Sequence, residues 1–272
     1  MAFFHARHNA FQATRTIALA CLFCLFAACA HGAAPADKDL KAEVERILKE
    51  NPEIILDILK DNSETVLEIA QQGNMLRKRK ALMAQWESDA TQHKTPDLAG
   101  RAFRGGGANA PVTIVAYSDY TCPYCRQAEL TLAQLLKKYD GSIRLTFKIL
   151  PKEDPLSQAA AKYATAAFMA DPTKGWEFSD ALFDGVDQFE RDGETFLKAT
   201  AAKTGLDFKK LKTEAGSLKV QERLDADRAE ADKMGISGTP YFLVNDLLVR
   251  GAVSKDLFED AIEMALRLSR KK

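Results

Sequence analysis

VTIVAYSDYTCPYCR, residues 112–126, decides how the chain folds. Its first half, entered from Pro111, is apolar and β-branched and reads as a buried strand. Beyond Arg126, Ala128, Leu132, Leu135 and Leu136 recur on one side of a helix that runs to Tyr139. Asp140-Gly141 turns the chain, and Ile143 to Leu150 alternates as a second strand. The pattern is a β-α-β unit, with Cys122 and Cys125 at the joint between strand and helix.

That joint matters because the thiolate, not the thiol, attacks disulfides and binds soft metals. The first turn of a helix offers unpaired N–H groups and the positive end of the dipole. Pro123 fits there, since the N–H it lacks would have no helical partner. A thiol brought from about 8.5 to about 5 stabilises a reduced pair by ~2.7 kcal/mol at neutral pH, or about 60 mV. Such a change moves a dithiol from reductant toward oxidant. Tyr124 adds no positive charge between the cysteines, so an intermediate to oxidising poise is expected. Asp119 reads as a strand-end or turn residue facing water.

C-x-x-C is also half of a zinc site, but zinc wants four ligands. Once the leader read below is removed, only His93, His31 and, under one cleavage reading, Cys29 would stand beside the pair, so neither a metal nor a cofactor is expected. The reduced pair also suits Cu(I), which soft thiolates select, and a copper-sequestering module is the alternative reading.

A second C-x-x-C, Cys21 to Cys24, lies in an apolar run from Ile17 to Ala30. The run has 14 residues; a bilayer-spanning helix needs about 20. Behind Arg7 and Arg15 it reads as a secretory signal peptide over residues 1–30. Ala28-Cys29-Ala30 allows simple cleavage, and Phe26-Ala27-Ala28-Cys29 is an imperfect lipobox that would leave a lipidated Cys29. Either cut removes Cys21 and Cys24. An exported chain left with one closely spaced pair is not a disulfide-stapled scaffold.

Lys plus Arg equals Asp plus Glu at 38 each, so no global field points to nucleic acid. The densest run, Arg77 to Lys80, reads as a solvated helix face. Residues 37–92 carry helical periodicity: Leu40, Val44, Ile47 and Leu48, then Ile54, Ile55, Ile58 and Leu59, then Val66, Leu67 and Ile69. Asn51-Pro52 sits like an N-cap followed by its proline, and Asp61-Asn62-Ser63 is a further break. Met75, Leu76, Leu82, Met83 and Trp86 extend the stripe. The segment has little bulk for a core of its own and precedes a domain that looks complete without it, so self-association through residues 39–92 is expected. A linker over 93–110, with three consecutive glycines, leads to a domain at 111–272.

Within that domain, Pro155 to about Gly235 is helical again, with turns at Asp171-Pro172, Asp184-Gly185, Asp192-Gly193 and Gly205. Gly238 to Ala252, GTPYFLVNDLLVRGA, gives two short strands around Asn245-Asp246, and Ser254 can cap a closing helix. Thr239-Pro240 is an X-Pro bond, which residue chemistry leaves open between cis and an ordinary trans proline in a loop.

At this point the chain resembles the thioredoxin superfamily, and within it the DsbA-like periplasmic thiol-disulfide oxidoreductases. The resemblance rests on VTIVAYSDYTCPYCR, IRLTFKILP, an all-helical stretch, GISGTPYFLVNDLLVRGA and a final helix, about residues 103 to 270. NPEIILDILKDNSETV resembles the helical oligomerisation segment of ScsC-type multimeric members. The resemblance implies an α/β thioredoxin fold with an all-helical insertion at about 152–235, preceded by an α-helical oligomerisation segment. It implies Cys122 as exposed nucleophile, Cys125 as resolving thiol, and Thr239-Pro240 as a cis-proline loop that binds substrate backbone. Pro123 and Tyr124 tune the site.

Strong oxidants of the family carry His between the cysteines and commonly Val before the cis-proline. Tyr124 and Thr239 depart from that pattern and tilt the reading toward isomerase or dual activity. The implied substrates are cysteine-containing exported proteins, with a membrane redox partner of the DsbB or DsbD type. The implied setting is the periplasm, as a homo-oligomer, dimer or trimer, with lipid anchoring through Cys29 as the variant reading.

Overall fold

A computed structural model describes residues 36–270. The readings made at residues 1–30, the Cys21 and Cys24 pair and Cys29 among them, lie outside the described residues. The chain divides into two compact units between Asn74 and Met75.

The first unit is helical: α1 (Ala36–Glu50), α2 (Pro52–Asp61) and the start of α3 (Ser63–Asp89). Its breaks fall at the two asparagines, for a reason the sequence reading missed. The Asn51 side chain makes no N-cap bond to α2. Its amide donates instead to Ile47 O at 2.8 Å, and the Asn62 amide donates to Ile58 O at 2.8 Å. Each asparagine therefore ends the helix before it, its backbone N–H donating to the same carbonyl as its side chain, Asn51 N to Ile47 O at 3.0 Å and Asn62 N to Ile58 O at 3.1 Å. No residue of α2 is buried, and Ile54, Ile58 and Ile69 stay 40%, 56% and 63% exposed.

The second unit is built on a sheet of β1 (Arg104–Gly105), β2 (Val112–Ser118), β3 (Ile143–Ile149), β4 (Tyr241–Val244) and β5 (Leu247–Arg250), in the order β1-β3-β2-β4-β5. β2 and β3 run parallel, Ile114 opposite Leu145, with α4 (Pro123–Lys138) as the crossover. β4 joins the other side of β2 antiparallel, Ala116 opposite Phe242, and turns into β5. At that turn Asn245 takes φ 51°; its Oδ1 accepts from Thr113 N at 2.8 Å and its Nδ2 donates to Pro111 O at 3.0 Å. Asparagine tolerates this left-handed geometry and uses its side chain to tie the hairpin to β2.

The near-continuous apolar run of β2 serves two faces. Val112, Ile114 and Ala116 join the larger core with Leu132, Phe178 and Phe258. Val115 and Tyr117 join a smaller one with Ile236 and Leu243. Beneath that second face Lys148, 1% exposed, reaches Glu230 at 2.7 Å and Asp227 at 3.7 Å. Arg101 also pairs with Asp227, and Tyr117 donates to Glu230 at 2.6 Å. Buried charges persist only when paired in this way.

Between β3 and β4 the chain is helical throughout: α5 (Pro155–Ala170), α6 (Pro172–Asp184), α7 (Val186–Asp192), α8 (Glu194–Lys203), α9 (Phe208–Ala215) and α10 (Leu218–Lys233). Asp154, Asp171 and Ser217 cap their helices through side-chain oxygens, the first two ahead of an N1 proline. A last helix, α11 (Lys255–Ser269), closes the unit.

Residues ahead of β2 supply the short edge strand β1 at one side of the sheet and cover the edge at the other. Trp86, fully buried, donates to Leu248 O at 3.0 Å, and Asp89 accepts from Leu248 N at 3.2 Å, which occupies the open side of β5. β1 pairs antiparallel along β3. Gly105 sits at φ 92° there, where a Cβ would meet Ile143 O at 2.9 Å. Covering an edge removes a template for unwanted pairing. Among the described residues no helix is long and apolar enough to cross a membrane.

Candidate active site

The strand β2 ends at Ser118, and the four residues after it form a loop held by Asp119. Asp119 Oδ1 accepts from Thr121 N at 2.7 Å and Thr121 Oγ1 at 2.9 Å. Its Oδ2 accepts from Ser157 Oγ at 2.9 Å and Lys152 N at 3.3 Å. Asp119 is therefore 1% exposed, not facing water as the sequence suggests. Four donors compensate its burial, and two come from the start of the helical insertion.

The loop delivers Cys122 as the N-cap of α4, with Pro123 at N1. Its carbonyl accepts from Cys125 N at 3.0 Å and Arg126 N at 3.2 Å, so both cysteines belong to the first turn. The thiol of Cys122 points at Thr239 O, 3.6 Å away, and the Thr239-Pro240 bond is cis. This loop lies over the sulfur: Cys122 is 6% exposed, where the resemblance implies an exposed thiol. Access is from a groove of roughly 350 Å³ lined by Tyr120, Cys122, Pro123, Arg126, Lys152 and Glu190 among others.

Cys125 is deeper, at 2% exposed. Burial pushes its thiol up to about 12, a rise that the polar groups of Ser118, Asp119 and Thr239 oppose. The two thiols thus differ in kind. Cys122 caps a helix at the edge of a groove; Cys125 is shut away in its protonated form. Both are free.

Cys122, Cys125 and Thr239 come together, with Pro240 buried behind them. Tyr124 points outward, 64% exposed. Arg126 donates to Asp184 O at 3.1 Å, and Tyr120 pairs with Ser179 at 2.9 Å, which fixes the CPYC turn against α6. Sequence reasoning missed Ser118 and Ser157, and it placed Asp119 as a turn residue facing water, where the turn is present and the exposure is not. Only Asp119 carried a signal, since Asp two residues before Thr121 is the pattern of an Asx turn.

Residues 100–264 match the Thioredoxin family profile. The Na(+)/H(+) antiporter NhaA 3 of Salinispora tropica is 33% identical over 167 residues, 61% of this chain and 25% of that protein. Disulfide bond formation protein D of Bacillus subtilis is 26% identical over 181 residues, 63% of this chain and 80% of its own length. The chain spans about a quarter of the first curated relatives it matches, 25% and 24%. Among solved structures, a thioredoxin-like oxidoreductase from Silicibacter pomeroyi has 30% identity and a TM-score of 0.54, over 64% of this chain and 94% of that one. Proteus mirabilis ScsC, in a transitional conformation, has 20% identity and a TM-score of 0.54 over 87% of this chain and 99% of its own.

Proposed function

The chain belongs to the thioredoxin family, and from that we propose that it is an exported thiol-disulfide oxidoreductase acting on cysteine-containing proteins through Cys122. The observation that carries this reading is the asymmetry of the pair. Cys122 caps α4 at the groove, beside the Thr239 carbonyl, while Cys125 is held 2% exposed with its thiol pushed up to about 12.

In disulfide formation, a substrate thiolate attacks Cys122 Sγ of the oxidised pair. The Cys122–Cys125 bond breaks and Cys125 leaves with the electron pair. A second substrate thiolate then attacks the substrate sulfur of the mixed disulfide, and Cys122 departs reduced. In isomerisation the reduced Cys122 attacks first, and the substrate's own thiol resolves the adduct. The thiol of Cys122 points at Thr239 O before reaction; once its sulfur is in a mixed disulfide, that carbonyl is released to accept an amide of an extended substrate segment.

The two electrons delivered to the pair must go on to, or come from, a partner, for which a membrane protein of the DsbB or DsbD type is the fitting class. Residues 1–30 act in this reading as the export signal, and the periplasm is the setting. The exposed apolar residues of α1, α2 and early α3 associate with other copies, which gives the isomerase several active sites around one substrate. The Cu(I) alternative is weaker, because Cys125 is 2% exposed and its thiol resists ionisation.

The test is refolding of a scrambled, multi-disulfide protein by the full chain. Activity that vanishes in Cys122→Ala and falls in Ile54→Asp/Ile58→Asp, in step with loss of the oligomer in sedimentation, supports the reading. Tight Cu(I) binding without disulfide exchange would overturn it.

A further inference from the structure

Thr239 O stands 3.6 Å from Cys122 Sγ, and the sulfur is reached from the groove of roughly 350 Å³. An extended chain advances about 3.3 Å per residue, so a protein bonded to that sulfur lays the residues beside its own cysteine in this groove. Arg126, Lys152, Asp154, Asp187 and Glu190 are the charged residues that line it. The Arg126 guanidinium is engaged, donating to Asp184 O at 3.1 Å, and Asp154 Oδ1 accepts from Ser157 N at 2.8 Å as the cap of α5. The side chains of Lys152, Asp187 and Glu190 have no hydrogen bond or ion pair among the described residues.

The backbone beneath these three is nonetheless fixed. Asp187 and Glu190, three residues apart, share a side of α7. That helix is anchored by Phe189, 3% exposed and 5.8 Å from the Phe196 ring. Gly185, just ahead of it, packs so closely that a Cβ would stand 2.6 Å from Phe196. Lys152 sits on a different segment, where its N donates to Ser157 Oγ at 2.9 Å and to Asp119 Oδ2 at 3.3 Å, and its O accepts from Gln158 Nε2 at 2.8 Å. The groove therefore presents two carboxylates from one helix and one ammonium from another wall, none of which must give up a partner to meet a substrate.

The geometry points to Asp187 and Glu190 as specificity-determining residues that select substrate segments with lysine or arginine beside the reacting cysteine, with Lys152 opposing them. This rests on the exchange reading of Cys122 and names the substrate class for it. The preference is a difference between attractions and repulsions within one groove. With about a factor of two for each exposed ion pair, a basic segment gains two pairs and meets one repulsion, an acidic segment the reverse, so the two differ by about fourfold.

The experiment uses the reduced full-length protein and two synthetic peptides that differ only in the residues flanking one cysteine, lysines in one and glutamates in the other. Each cysteine carries a thiopyridyl group in disulfide linkage. Cys122 Sγ attacks the peptide sulfur, the S–S bond breaks, and pyridinethione leaves with the electron pair and is followed by its absorbance. Rates are compared as the lysine-to-glutamate ratio within each protein, so any change in the thiol itself cancels. At low salt the unaltered protein is expected to favour the lysine peptide about fourfold, Asp187→Asn/Glu190→Gln to reverse that to about fourfold for the glutamate peptide, and Lys152→Gln to raise it to about sixteenfold. At about 1 M salt the ratios fall toward one. Equal rates for the two peptides at low salt, or the same ratio in the double variant as in the unaltered protein, would overturn the assignment and leave the exchange reading intact. Release of pyridinethione from neither peptide would remove the exchange reading and this proposal with it.

Discussion

Glu129 lies on α4 one turn beyond Cys125, 9% exposed. Its Oε1 is 3.4 Å from Arg104 Nη1, and its Oε2 has no hydrogen-bond partner. Burial pushes this carboxyl up from 4.5 to about 7; Arg104 opposes the rise, and Asp180 and Asp184 add to it. The folded protein therefore keeps the proton to a higher pH than the unfolded chain does. Between about pH 4.5 and about pH 7 the folded state binds more protons, so stability falls as pH rises.

The full effect of that shift is ~3 kcal/mol, reached by about pH 8. Glu129→Gln removes the titration while keeping the shape. Urea unfolding of both proteins across a pH series is expected to give similar stability near about pH 4.5, with the variant ~2–3 kcal/mol more stable by about pH 8. Parallel pH curves would refute the reasoning. So would a wild type that gains on the variant as pH rises, which would mean that the Arg104 ion pair outweighs burial.

Two further outcomes test the scaffold. Lys148→Met removes the cation from Glu230, which keeps the Tyr117 hydroxyl and Asp97 N, and from Asp227, which Arg101 still pairs; a loss of ~2 kcal/mol in urea unfolding is expected, the range for a lost hydrogen bond to a charged group. Trp86→Phe keeps much of the buried bulk but orphans Leu248 O. A loss of ~1–3 kcal/mol is expected by the same measurement, and no loss would show that the edge contact does not hold β5.

The β-α-β unit was legible because its strands are continuous apolar runs and its helix has a clean apolar side. The insertion was legible because Asp-Pro and Ser caps mark helix starts, as at Asp154 and Asp171. What escaped depends on partners remote in the chain. Asp119 is buried through Ser157, 38 residues away, and Cys122 is covered by Thr239, 117 residues away. β1 has two residues, too few for any periodicity. Trp86 reads as one more member of a helical stripe, yet Met75 and Leu76 of that stripe are exposed while Trp86 meets β5. The residue pattern gives an amphipathic face; it does not say which part of that face a sheet edge will claim.

The most direct test of the whole account is to trap the reacting sulfur. Full-length Cys125→Ser is incubated with a disulfide-bonded peptide, and the products are digested and read by mass spectrometry. The account predicts a stable one-to-one mixed disulfide located at Cys122. No adduct on the folded protein, under conditions where the urea-unfolded chain forms one, would contradict it.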